Sequence, residues 1–223
     1  TGPVKPFAFA DAMHEPGSKT LLGRRYPQGG ENEGTAAIAN LCRHPSTARF
    51  LATKLVRHFV SDRPHPLDID IIAGVYLDTD GDLAEVSLAL LDLDGAFYGP
   101  ERKIRSPQEF LIAMGRGLGL SKVDRKAVSA LTALRHTPWS PPSPAGYSDE
   151  VADWGDPDGL LRRADLARMV TKRARARLSD VGAFAQDVME VRDPALLNAL
   201  LAEQSSVADQ ATLVFASPDF QWR

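Results

Sequence analysis

The chain has 223 residues, 43% hydrophobic and 25% charged, which is material for one large domain or two small ones with a sizeable core. A formal charge of -3 at pH 7 excludes the strongly basic balance that draws a protein to nucleic acid or anionic lipid. The single cysteine, Cys42, excludes an internal disulfide, and no apolar run approaches the roughly 20 residues of a membrane span.

Residues 1–30 read as irregular. Prolines and glycines interrupt them, and no 3.6-residue period is sustained. The alternation at Phe7-Ala8-Phe9 and the short apolar run Thr20–Leu22 are compatible with a small β-hairpin. The opening TGPVKPFAF has neither an initiator methionine nor a signal-like segment, so an upstream part is expected.

From Glu31 the pattern is helical. A first helix over Glu31–Arg43 ends at His44-Pro45, because the residue before proline resists the α conformation. Ser46 is placed to cap a helix over Thr47–Ser61, whose Ala48, Leu51, Ala52, Leu55 and Phe59 share one face and are expected in the core. Helices over Leu67–Leu77 and Leu83–Leu93 follow. Ser106-Pro-Gln-Glu109 is a capping box with proline at the first helical position, predicting a helix to about Leu118. Further helices are expected over Asp124–His136, from Asp156-Pro157 to Leu178, from Asp193-Pro194, and over Val207–Phe215. The expectation is an all-α fold, an irregular bundle of nine or ten helices in a single domain over 31–223, behind a loop-rich segment at 1–30. Asp82–Phe97 and Ser205–Phe220 echo each other as a helix with a phenylalanine just past its end, read as two helix ends pinned by a buried ring.

Several strings invite chemistry and have plainer readings. DTDGDLAEV, Asp78–Val86, spaces carboxylates as a calcium loop does, but Leu83 stands at the glycine position and Ala89 where the bidentate glutamate belongs. Its plainer reading is a turn with Asp82 as helix N-cap and Glu85 in the first turn. GRGLGL, Gly115–Leu120, looks like a dinucleotide fingerprint, yet its glycines close a helix where that motif must open one, and so read as a C-cap. Arg162, Arg163, Arg168, Lys172, Arg173, Arg175 and Arg177 cluster on one helix. Its stripe of Leu160, Ala164, Ala167, Thr171, Ala174 and Leu178 faces a neighbour, and most of the basic groups face solvent or an acidic partner. His14, His44, His58, His65 and His136 show no metal-ligand spacing and read as structural, and no cofactor or metal is expected.

Two irregular stretches remain as candidate sites. The first gathers His14, Lys19, Arg24 and Arg25 in a glycine-bearing loop. The second, HTPWSPPSPAGYSDEVADW over 136–154, gathers Trp139, Ser143, Tyr147 and Trp154 among four prolines. A long stiff loop in a compact helical protein is either functional or specially packed.

HEPGSKTLLGRRYPQGG, HPSTARFLATKLVRHFVSDRP, DTDGDLAEVSLALL, KIRSPQEFLIAMGRGLG, PWSPPSPAGY followed by ADW, and LVFASPDFQWR together span nearly the whole chain. Read together, they resemble a bacterial family catalogued as domain of unknown function eighteen hundred, and specifically its C-terminal half. The resemblance implies an exported protein. It also implies a possible partner, a sulfatase-like or phosphatase-like exported protein encoded nearby. It implies no catalytic residues, because the family has no assigned activity. The expected function is a non-catalytic binding or scaffold module, with no nucleic acid and no membrane span. The alternatives are a hydrolase or lyase of envelope polymers using both loops, and an anion site at Lys19, Arg24 and Arg25.

Overall fold

The computed structural model describes residues 7–97, 103–120, 125–148, 150–174 and 180–222. The chain divides into two compact units, Thr1–Val56 with Pro64–Tyr98, and Arg57–Arg63 with Gly99–Arg223. The all-α expectation holds. Among the described residues thirteen α-helices are joined by one two-stranded sheet.

The first unit opens with an antiparallel hairpin, β1 (Lys19–Leu21) and β2 (Arg24–Tyr26), in which Lys19 faces Tyr26. Its two-residue turn, Leu22-Gly23, holds both residues at positive φ, 47° and 78°. That is the turn whose twist matches paired strands. Four helices complete the unit: α1 (Glu31–Cys42), α2 (Pro45–Phe59), α3 (Pro66–Asp78) and α4 (Leu83–Leu91), with a single turn α5 (Asp94–Phe97). The last turn of α2 belongs to the second unit.

Histidines initiate two of these helices. The His44 Nδ1 accepts the Ser46 N–H at 3.1 Å, and the His65 Nδ1 accepts that of Leu67 at 3.3 Å. Ser46 is therefore inside α2 and is not its cap, a correction to the sequence reading. Proline one residue on has no N–H to satisfy and suits the first helical position. The buried stripe of α2 is Ala48, Ala52 and Val56, while Leu51 and Leu55 are only half-buried and Phe59 is 53% exposed. The expected core face is thus rotated toward its smallest residues. Phe97 is also exposed, so the idea of two pinned helix ends fails at the first.

The calcium-like string is a junction between two helix ends. Asp80, at φ 55°, lets the Gly81 N–H close α3 onto the Tyr76 carbonyl at 2.7 Å, and Arg43 forms a forked ion pair with Asp80. Asp82 then accepts the N–H groups of Ala84 and Glu85 and caps α4.

The second unit holds α6 (Pro107–Gly117), α7 (Arg125–Ala133), α8 (Val151–Trp154), α9 (Pro157–Ala174), α10 (Val181–Val188), α11 (Pro194–Ala202), α12 (Val207–Ala216) and α13 (Pro218–Gln221). Helices α5, α8, α10 and α13 are additions to the sequence reading. Three are four-residue turns, too short for a helical period to register, and α10 has two turns with Gly182 in the first.

The capping box forms as expected: Ser106 Oγ accepts the Glu109 N–H, and Glu109 reaches back to the Ser106 N–H at 2.8 Å. The far end of α6 closes on Gly119, at φ 64°, with the Leu120 N–H on the Gly115 carbonyl at 2.8 Å. The glycine string is thus a helix stop.

Helix α9 lies against α12, where Ala167 and Ala211 are both fully buried and let the backbones approach. Thr171 and Thr212 share a hydrogen bond at 2.8 Å across the pair. Around them Phe184, Phe215, Phe220 and Phe110 form a chain of edge-to-face rings at centroid distances of 4.8 to 5.7 Å. Each such pair adds about 0.5–1.5 kcal/mol to the burial itself.

The stripe read from the sequence for α9 holds at Ala167 and Thr171, both fully buried, and fails at its start. Leu160 is exposed, and Arg163 is buried with only 1% of its surface accessible. Its Nη1 donates to Gln221 Oε1 at 2.9 Å and its Nη2 to the Arg105 carbonyl at 2.7 Å, while the guanidinium lies over the Phe110 ring at 5.2 Å. Burial, reinforced by the Arg105 charge and partly offset by Glu109, lowers its pKa to about 10. Ala174 and Leu178, the end of the expected stripe, and Arg175 and Arg177 lie outside the described side chains.

Candidate functional site

The Pro/Trp loop begins where α7 stops. Arg135 adopts φ 63°, and the His136 N–H closes on the Leu131 carbonyl at 2.8 Å. A non-glycine residue in this left-handed region costs about 1–3 kcal/mol and persists only where the surroundings hold it. Arg135 is fixed by its ion pair to Asp156, whose carboxylate also accepts the Gly159 N–H at the start of α9. This helix stop turns His136 inward.

His136 is 7% exposed and lies between two loop rings. Tyr147 stacks on it at 3.9 Å with planes 17° apart, and Trp154 leans on it at 5.7 Å and 48°. Tyr147 donates its hydroxyl to the Thr137 carbonyl and accepts the Ser140 N–H, closing the loop on itself. The indole N–H of Trp154 donates to the Ser148 carbonyl at 2.7 Å. The end of the loop is held from outside: Asp62, paired with the buried Lys103, accepts the Val151 N–H at 2.6 Å. Amid this bonding the His136 Nδ1 is buried with no hydrogen-bond partner.

These rings wall a cavity of about 180 Å³ lined by His58, Ile104, Ser106, Glu109, His136, Tyr147, Ser148 and Trp154. Two imidazoles, a carboxylate and hydroxyls thus share one small space with aromatic surface. Such an arrangement suits a polar ligand with apolar faces and supplies groups able to move a proton. Among the described residues no group of three or more His, Cys, Asp and Glu side chains is arranged to hold a metal ion.

Of the loop residues named from the sequence, Tyr147 and Trp154 come together on His136. Ser143 is exposed and its Oγ accepts the Ala145 N–H at 3.2 Å. Trp139 is 98% exposed and holds φ 60°. His58 and His136, read from the sequence as structural, and Glu109, read as part of a helix cap, join the cavity. The signal for His136 was its position at the head of the loop, beside a helix stop. For His58, on α2, and Glu109, in a capping box, no local pattern marks a shared space.

The first candidate loop lies in the other unit and has its own centre, Glu33 on α1, also passed over in the sequence. Lys19 Nζ pairs with Glu33 at 3.0 Å, and His14 Nε2 lies 3.7 Å from the same carboxylate. The Gly29 N–H adds a third contact at 3.3 Å. The Lys19 hydrogen bond, against a smaller opposing effect of burial, holds the Glu33 pKa below the ordinary carboxylate value. Lys19 also donates to the Glu15 and Gly17 carbonyls, so its three N–H groups are committed within the loop. Arg24 and Arg25 are exposed on β2, where Arg25 donates to Ser18 Oγ at 3.2 Å. His14 and Lys19 thus meet in a fastener around Glu33.

No helix among the described residues is long and apolar enough to cross a membrane. Neither a curated protein nor a solved structure matches the chain. One family does match, over residues 2–222, and the chain belongs to it: the family described as protein of unknown function (DUF1800).

Proposed function

We propose that this chain is a non-catalytic binding module of a larger exported protein, and that it holds a partner protein through the tip of the Pro/Trp loop. The observation that supports this reading is Trp139. An indole left in water forgoes the burial of roughly 200 Å², worth about 5 kcal/mol at about 25 cal/mol per Å². This one is 98% exposed, and its backbone sits in a left-handed conformation that ordinary side chains avoid. Four prolines and the hydrogen bonds at Tyr147 stiffen the loop that carries it, so little ordering entropy is lost when a partner closes on it. Tryptophan is also among the residues that most often dominate the energy of an interface.

The partner is an exported sulfatase-like or phosphatase-like protein, the class that the family resemblance implies. The test is calorimetry of the purified chain against that protein, encoded beside it in the native host. Trp139→Ala should weaken binding by about 30-fold or more, equivalent to about 2 kcal/mol. Its unfolding midpoint should stay unchanged, because the side chain packs on little. Equal affinity in the variant, or no binding by the intact chain, removes the reading. Export has its own test, fractionation of the native host, and recovery from the cytosol alone would remove that part.

A further inference from the structure

The cavity in the second unit presents a chemistry of its own, separate from the loop tip. Its volume of about 180 Å³ is the room of about six waters at about 30 Å³ each. That fits one ring and is below the roughly 300 Å³ at which drug-sized sites begin.

A charged ligand finds no free counter-charge there. Among the described lining residues there is no lysine or arginine. The single carboxylate, Glu109, already accepts the Ser106 N–H and its charge lies against Arg163. A planar heterocycle finds no slot, because His136 and Tyr147 already stack on each other and Trp154 is tilted by 48° to the imidazole. A puckered, uncharged ring with C–H faces and a rim of hydroxyls meets what remains. Trp154 and Ile104 offer apolar surface to its faces, while His58, His136 and Ser148 offer polar edges.

The second observation is the unpaired His136 Nδ1. A buried polar atom without a partner costs about 1–3 kcal/mol, and few survive in a native fold without a reason. The Arg135 helix stop and the two flanking rings hold this imidazole in a single pose. The tautomer that leaves Nδ1 bare puts its one N–H on Nε2.

We propose that this cavity binds a single sugar ring, with a ring hydroxyl donating to the bare His136 Nδ1 and His58 lining the rim. The inference does not depend on the partner-binding role of Trp139.

The experiment is saturation-transfer NMR and calorimetry of the 223-residue chain with two probes, D-glucose and N-acetyl-D-glucosamine. At least one should bind saturably in the millimolar range. His58→Ala, a change at an exposed position, should weaken that binding about ten-fold without moving the unfolding midpoint. Ser148→Phe, which fills the cavity, should abolish it, and Trp139→Ala should leave it intact. Three results would overturn the proposal: no saturable binding of either sugar by the folded chain, binding that survives His58→Ala undiminished, or binding lost in Trp139→Ala alone. Loss of partner affinity in Trp139→Ala with sugar binding retained supports it as an independent site.

Discussion

Replacing Arg163 by methionine sets two large opposing effects against each other. Burial lowers the pKa of the guanidinium from its ordinary value to about 10. At about 1.36 kcal/mol per pH unit, holding the charge inside costs about 3 kcal/mol, and methionine removes that cost while roughly keeping the volume of the stem. It also removes two hydrogen bonds from a charged donor, to Gln221 Oε1 and the Arg105 carbonyl, worth about 1.5–3 kcal/mol each. The contact with the Phe110 ring, about 2 kcal/mol when desolvated, goes as well. The losses come to about 6 kcal/mol, so Arg163→Met should destabilise by about 3 kcal/mol. Urea unfolding followed by tryptophan fluorescence reads this cleanly, because Trp139, Trp154 and Trp222 all lie in the second unit. With a slope of about 2 kcal/mol per molar urea, the midpoint should fall by about 1.5 M. Arg163→Lys, which keeps a charge but reaches one acceptor in place of two, should fall between. A midpoint for Arg163→Met equal to or above that of the parent would refute the reasoning, since relief of the buried charge would then outweigh the network.

Three further outcomes are expected. Gly117→Ala puts a methyl 2.8 Å from Val188 Cγ1 and should destabilise by about 1–3 kcal/mol despite its better helix propensity. Adding Val188→Ala should restore part of the loss in the same urea assay. Ser106→Ala removes the acceptor for the Glu109 N–H and should cost about 1 kcal/mol, read as a lower midpoint with an unchanged slope. Glu33 has a depressed folded pKa, so its contribution to stability is present above the ordinary value of 4.5 and is lost as pH falls through the lower folded value. Lys19→Met removes the main cause, and carbon-detected NMR should show Glu33 titrating at higher pH; an unmoved titration would count against the Lys19 bond.

The residue pattern by itself determined the helix ends. The Ser106–Glu109 box, Asp82 and the Gly119 stop are satisfied by groups within a few residues, so spacing along the chain is enough to read them. It also determined that nine segments form helices, since amphipathic periods and proline breaks are local properties. Only the tertiary structure decided which face each helix buries. Arg163 is an arginine by composition and a core residue by position, because acceptors 58 residues away in either direction converge on it. The site was decided the same way. His58, Glu109 and His136 are ordinary where they stand in the chain, and become a site through packing that brings a helix end, a capping box and a loop around one cavity. Caps are made of bonds between near neighbours, and a cavity is made of distances between residues that the chain order does not relate.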